Sequence, residues 1–299
     1  MFNLPTSVPN DPVHWDVSGS SIGVPEITLM GYIAKRFADL LPEHHHYDAW
    51  EFHFNEGSPL EFVVNRQSFK IFSGQVFHTR PFELHSGAYS IMPPGKFWFL
   101  SVKSPNPTES PGEWFGLRPS ERIIFSDLLE RLPRCFSVPT HETAWMFNQI
   151  RNTCTHHSEL MSLEVRIHLL ELLLLFGRNN TPYINKDATH ASELGPWQNV
   201  IQTLKEDLVN KPEVSELARL VNLSTPSFYV QFRAKYGMSP VAYWNRERLV
   251  HVANHLLKHP EASVSKLAVE FGYSSPQQLT TNFKRFFGYS PTTWRQRFK

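Results

Sequence analysis

Two stretches of this chain repeat each other. Phe232 to Arg246 reads FRAKYGMSPVAYWNR, and Phe283 to Arg297, fifty-one positions on, reads FKRFFGYSPTTWRQR. A phenylalanine, a basic residue, a glycine and a Ser-Pro pair recur in register. Upstream of each copy lies a second matching segment, LARLVNLS at Leu217 to Ser224 and LAVEFGYS at Leu267 to Ser274, so the repeated unit is about fifty residues long. Two copies are too few for a solenoid, whose repeats stack in larger numbers. A duplicated helical unit on a basic segment points instead to a reader with two equivalent docking elements.

Each unit predicts a short helix, a tight turn and a longer helix. In the first, Val214 to Val221 puts Leu217, Ala218 and Val221 on one face, Asn222 suits a left-handed turn, and Ser224 is placed to cap the next helix. In the second, Leu267, Ala268 and Phe271 form the face, Gly272 makes the turn, and Ser274 or Ser275 caps. The alanines let the two helices approach closely. This is helix-turn-helix geometry, whose second helix can enter a major groove.

Charge separates the same segment from the rest of the chain. Residues 195–299 carry 14 Lys/Arg against 7 Asp/Glu, while the first 194 carry 15 against 21, so a net charge of +1 conceals +7 beside −6. The basic part suits a polyanion and the acidic part would be repelled by one. With 299 residues, 41% of them hydrophobic, two buried cores are expected. Two cysteines, Cys135 and Cys154, make neither a disulfide scaffold nor a metal finger, which favours a reducing, cytoplasmic setting. No signal peptide or membrane span is read from the sequence: the start MFNLPTSVPNDP lacks a basic then apolar run, and the apolar stretch near Leu169 to Phe176 is broken by Glu171.

Along the chain, residues 1 to about 45 are proline-rich and polar and read as an arm. From about Trp50 to Leu100, short runs such as EFHF, EFVV, SFKIF and QVFHT separated by NEGSP, NRQ, SG and MPPG predict the strands of a small β barrel or sandwich. Helical period follows Pro119, with further helices over His141 to His157 and Ser158 to Phe176; the last is leucine-rich and needs cover from its own barrel or from a second copy. GRNNTPYINKDATHASELGP, Gly177 to Pro196, reads as a linker, and everything from Trp197 is helical in pattern.

At the repeated unit the chain resembles the AraC/XylS family of bacterial transcription regulators. The resemblance covers about Pro196 to Lys299 and is strongest over SVSKLAVEFGYSSPQQLTTNFKRFFGYSPTTWR, Ser263 to Arg295. It rests there on Ala268, the turn Gly272-Tyr273-Ser274, Phe283, Lys284 and Arg285, Gly288, and Ser290-Pro291 ahead of an aromatic-Arg pair. It implies two helix-turn-helix subdomains joined by a central helix at about Pro240 to Lys258. The fold class expected is thus α+β in two domains: a cupin-like β barrel followed by helices over 1–177, a linker over 178–196, and an all-α AraC-type DNA-binding domain over 197–299.

Helical angles assign the faces of the two reading helices. With Phe228 and Phe232 buried, Pro226, Val230 and Arg233 point outward with Tyr229 on the flank; with Leu279 and Phe283 buried, Gln277, Thr281 and Lys284 face outward beside Thr280. Ser224, Thr225 and Ser275 stand at the helix starts, where backbone N–H groups can hold phosphates. The chain departs from the family at Val230 and Thr281, where many relatives carry an arginine. Base reading is therefore expected to rest on thymine-methyl contacts and Gln277, with Arg233 and Lys284 on phosphates.

The resemblance is looser in the N-terminal part, where such regulators often carry an effector-binding cupin-like barrel. Its marks are His44-x-His46, Glu51 and Gly57, then Gly74, Pro81 and His85. His-x-His with a glutamate and a distant histidine is also the ligand pattern of cupin metalloenzymes. Set against that, the histidines form a consecutive run at a loop edge, and His53 and His78 show that histidine is common locally. The ranking is structural histidines first, polar groups for a small effector such as a sugar second, and a metal third, so no metal or cofactor is expected. His44, His46, Trp50, Glu51 and His85 are the candidate effector residues, with Phe52, Phe62, Phe97, Trp98 and Phe99 as candidate pocket walls.

The function expected is that of a non-enzymatic, sequence-specific regulator of transcription that responds to a small molecule. Its expected partners are double-stranded DNA, the effector, a second copy paired through the helices of about 120–177, and RNA polymerase. A cupin metalloenzyme fused to a DNA-binding module is the rival, and a DNA-architectural protein without an effector is a third reading.

Overall fold

The computed structural model describes residues 13–106, 114–156, 158–180 and 190–298. Its N-terminal part is built from short antiparallel strands: β1 Val13–Val17, β2 Ile27–Lys35, β3 Asp39–Leu40, β4 Ala49–Asn55, β5 Leu60–Val64, β6 Gln67–Ile71, β7 Gln75–Thr79, β8 His85–Gly87, β9 Ile91–Met92, β10 Gly95–Lys103 and, after one helix, β11 Cys135–Ser137. One sheet runs β1-β2-β10-β4-β7-β11, a second β6-β5-β8, and β3 pairs with β9.

The expected arm is corrected by β1 and β2, which enter the large sheet through the pairs Trp15↔Tyr32 and Phe97↔Ile33. Gly31 breaks the apolar alternation of β2, yet it is required: a Cβ there would meet the Trp15 carbonyl and the Phe99 ring. Residues 1–12 of the expected arm lie outside the described residues.

Period two sorts β4 and β10 between two cores. Trp50, Phe52 and Phe54 of β4, with Trp98, Leu100 and Val102 of β10, join α1 (Pro119–Glu130), α2 (Thr140–Thr155) and α3 (Met161–Asn180) in one core. Phe54 stacks on Phe147, and Phe52 lies 5.5 Å from Phe176. The leucine-rich α3 thus finds its cover in this sheet through Val165, Leu169, Leu172, Leu173 and Phe176, all fully buried. On the other face Phe97 and Phe99 meet Phe62, Phe77 and Ile71 between the two larger sheets. Glu51 and His53 share that face of β4, with the His53 ring 4.5 Å from Phe62.

The C-terminal part holds α4 (His190–Glu206), α5 (Val214–Leu220), α6 (Thr225–Tyr236), α7 (Pro240–Lys258), α8 (Val264–Glu270), α9 (Pro276–Phe287) and α10 (Pro291–Arg297). α3 and α4 extend into the segment expected as linker, so only 181–189, outside the described residues, separate them; Pro196 removes one donor from α4 without ending it. Two cores divide this part. Val200, Leu204, Leu217, Phe228, Phe232, Tyr236, Tyr243 and Trp244 form one; Leu249, Val252, Leu256, Leu267, Leu279, Phe283, Phe287 and Trp294 form the other. The central helix α7 gives its first half to the first core and its second half to the second. Between them Arg248 lies between the rings of Trp244 and Tyr273, 4.2 and 3.9 Å from their centroids, and donates to the Phe271 carbonyl.

Candidate functional site

The two units are built alike in their local chemistry. Asn222 and Gly272 occupy the left-handed turn at φ 54° and 65°. Ser224 accepts from the Ser227 N–H at the start of α6, and Ser275 from the Gln278 N–H at the start of α9. Ser274 instead binds the Gln278 side chain through its N–H and its hydroxyl, at 2.8 and 3.1 Å. Ser239 and Ser290 cap α7 and α10 in the same way.

With Phe228, Phe232, Leu279 and Phe283 fully buried, the outer faces fall where the helical angles place them. Pro226, Tyr229, Val230 and Arg233 are exposed on α6, and Gln277, Thr281 and Lys284 on α9; Ser224 is exposed at its cap, while Thr225, Ser275 and Thr280 are half-buried. Val230 is 70% exposed, which leaves nearly a whole isopropyl group in water. Arg285, exposed beside Lys284, is a further cation on α9 that the angular reading left aside.

In the N-terminal part, His44, His46, Glu51 and His85 come together so that one ligand atom from each lies within 4.8 Å of the others. The backbone makes this possible. His44 and His85 pair as an isolated antiparallel bridge, with N···O distances of 2.9 and 2.8 Å, and the Phe82 N–H donates to the His46 carbonyl. Glu51 reaches the same point from β4. Burial would raise its pKa, but the charge of His53 and the imidazoles around it hold it well below the ordinary carboxylate value. Burial and the neighbouring His85 lower His44, while for His46 the Glu51 carboxylate outweighs burial and raises it.

Trp50 does not join the cluster. Adjacent residues on a strand face opposite ways, so it packs toward α1–α3 beside Phe52 and His78. Phe52 and Trp98 go with it, whereas Phe62, Phe97 and Phe99 stand on the cluster's side of β4. His53, read from sequence as a sign of local histidine abundance, belongs to the site: its Nε2 lies 3.2 Å from Glu51 Oε2. Its spacing of two from Glu51 on a strand was the available signal.

The sheet region and the helix-turn-helix region meet through charge that is largely buried. Glu61 of β5 faces Lys205 of α4 at 3.4 Å and Lys70 of β6 at 3.9 Å, and Lys205 also faces Glu247 of α7. Arg246 pairs with Glu247 at 3.1 Å and donates to the Pro59 carbonyl, while Lys70 donates to the Tyr243 hydroxyl. Burial brings Lys70 down to about 8 against the pull of Glu61. Tyr89 touches His251 of α7 at 3.1 Å, and the Ala38 N–H donates to the Phe286 carbonyl at the end of α9.

Residues 217–297 match the model of a helix-turn-helix domain family. Over 265 residues the chain is 27% identical to RhaS of Escherichia coli, an HTH-type transcriptional activator, covering 85% of this chain and 87% of RhaS. The chain belongs to the AraC/XylS family. It is a DNA-binding transcription regulator of the AraC type. Among solved structures, it is 29% identical to the DNA-binding domain of AdpA, which was determined in complex with a target DNA; the match covers 34% of this chain and 92% of that one, with a TM-score of 0.31. A probable AraC family transcriptional regulator from Rhodopseudomonas palustris CGA009 matches at 23% identity over 35% of this chain and 97% of its own, with a TM-score of 0.32. Among the described residues, no helix of this AraC-type chain is long and apolar enough to cross a membrane.

Proposed function

We propose that this chain is an effector-responsive regulator in which the N-terminal sheet region, a cupin-like barrel over 1–177, controls how the domain over 197–299 engages its operator. The observation that carries the reading is the buried charge network joining Glu61 and Lys70 to Lys205, Tyr243, Arg246 and Glu247. Buried ion pairs are costly to make and costlier to break singly, so they favour defined states over graded ones. A ligand that shifts β5 or β6 biases the placement of α4 and α7, and α7 contributes to both helix-turn-helix cores.

At the DNA, Val230 and Thr281 contact thymine methyls and Gln277 reads a base edge. Arg233, Lys284 and the helix starts at Ser224, Thr225 and Ser275 hold phosphates, with Pro226, Tyr229 and Thr280 lining the approach. Small polar molecules, sugars first, are the effector class, taken on the His44, His46, Glu51 and His85 side of the barrel. A second copy pairs through α1–α3, whose outer surface exposes Ile124, Trp145, Leu163 and Ile167.

Selection of genomic fragments by the purified full-length protein, followed by a thermal-shift screen of sugars, tests the function. Glu61→Gln and Lys70→Met should each change operator affinity, or its response to the effector, by threefold or more. Operator binding and effector response both at the wild-type level in the double variant would remove the network from the mechanism.

A further inference from the structure

We infer that His44, His46, Glu51 and His85 form a binding site for a divalent first-row transition-metal ion. The inference concerns the sheet region alone and does not depend on which effector or operator the regulator uses.

The first ground is convergence. Nε2 of His85 and Nε2 of His46 stand 3.0 and 3.3 Å from the same oxygen, Glu51 Oε2. Around a metal with bonds of about 2.1 Å, neighbouring donors lie about 3.0 Å apart in an octahedron and about 3.4 Å apart in a tetrahedron. These two distances are edges of such a shell.

The second ground is hydrogen-bond direction. His85 Nδ1 lies 3.0 Å from the Glu83 carbonyl and His44 Nδ1 lies 2.9 Å from the Pro42 carbonyl. A carbonyl oxygen only accepts, so both Nδ1 atoms carry hydrogen, and in the neutral rings Nε2 is the lone-pair atom. His85 therefore turns a lone pair toward a carboxylate oxygen 3.0 Å away inside a buried site. The buried Nε2 of His46 makes no hydrogen bond at all. A cation among these atoms converts each of these unfavourable approaches into a bond. The carbonyl contacts are the outer bonds that fix the tautomer and aim a ligating imidazole.

The third ground is support for the carboxylate. His53, buried against Phe62, brings Nε2 to 3.2 Å from Glu51 Oε2, where it orients the glutamate as a positioning residue. The backbone bridge between His44 and His85 holds two ligands in register across 41 positions of sequence. Three imidazole nitrogens and one carboxylate oxygen suit Zn(II), Fe(II), Mn(II), Co(II) or Ni(II), and are poor ligands for Ca(II) or Mg(II), which take mainly oxygen.

The test uses the full chain, stripped by chelating resin and titrated with Co(II) and Zn(II). Expected are about one equivalent of bound metal per chain by elemental analysis, a visible Co(II) d–d spectrum that Zn(II) displaces, and a rise in melting temperature. His46→Ala and Glu51→Gln should each weaken Co(II) binding by more than ~100-fold, whereas His156→Ala, on the exposed end of α2, should not; His53→Phe should weaken it by ~10–100-fold. Far-UV circular dichroism of the metal-free variants confirms folding, and His46→Gln replaces any variant that fails. No Co(II) spectrum in the wild type, or uptake unchanged in folded His46 and Glu51 variants, overturns the site. Since no DNA enters these measurements, their outcome is separate from that of the operator selection.

Discussion

The two helix-turn-helix units share a scaffold and differ where they meet solvent. Each has a buried phenylalanine pair or its Leu-Phe equivalent, a left-handed turn, a serine cap and a glycine ending the longer helix, Gly237 in one and Gly288 in the other. Outward, α6 presents Tyr229, Val230 and Arg233, and α9 presents Gln277, Thr281, Lys284 and Arg285. Duplication has kept what folding requires and released what touches a partner. The first unit offers an apolar reader with one cation, the second a polar reader with two.

The largest expected effect breaks the shared part. Phe232→Ala and Phe283→Ala each empty a fully buried site and should cost about 3–5 kcal/mol. Chemical denaturation measures this, and similar losses in the two units would support equivalent scaffolds. The turns should separate the units next. A Cβ at Gly272 would meet the Val209 carbonyl at 2.2 Å, so Gly272→Ala should destabilise by about 2 kcal/mol or more, while Asn222→Gly, at an exposed turn, should change stability by less than about 1 kcal/mol. Equal effects at the two turns would sink this distinction.

Smaller still are the caps. Ser224→Ala and Ser275→Ala should each cost about 1 kcal/mol, and the shorter bond at Ser275, 3.1 Å against 3.4 Å, places the larger loss in the second unit. The outer faces show themselves in DNA binding rather than stability. Lys284→Ala should weaken binding about equally across operator sequences and lower the salt slope by about one unit. Val230→Ser should leave the salt slope unchanged and relax preference at one base pair. A salt-slope change for Val230→Ser, or none for Lys284→Ala, reverses the assignment.

Much of this was legible because the C-terminal signals are local. The serine before Pro240, and the glycines ending α6 and α9, mark element boundaries within a few residues, and α7 runs over the very span read from sequence. The N-terminal part resists for a physical reason. All seven residues of β4 are buried, so alternation cannot say which of Trp50 and Glu51 faces the cluster. β11 has only three residues and acquires its identity from β7, and β1 and β2 are recognised only once they pair. The His44–His85 bridge is a contact between distant segments, which no local pattern records.

The division of α7 between two cores makes it a ruler. Because one continuous helix carries both units, the angle between α6 and α9 cannot be retuned by loosening a hinge. The operator must supply its two subsites in a fixed rotational phase. One base pair inserted between them turns the second subsite by about 34° around the duplex axis, and the protein has no joint with which to follow it.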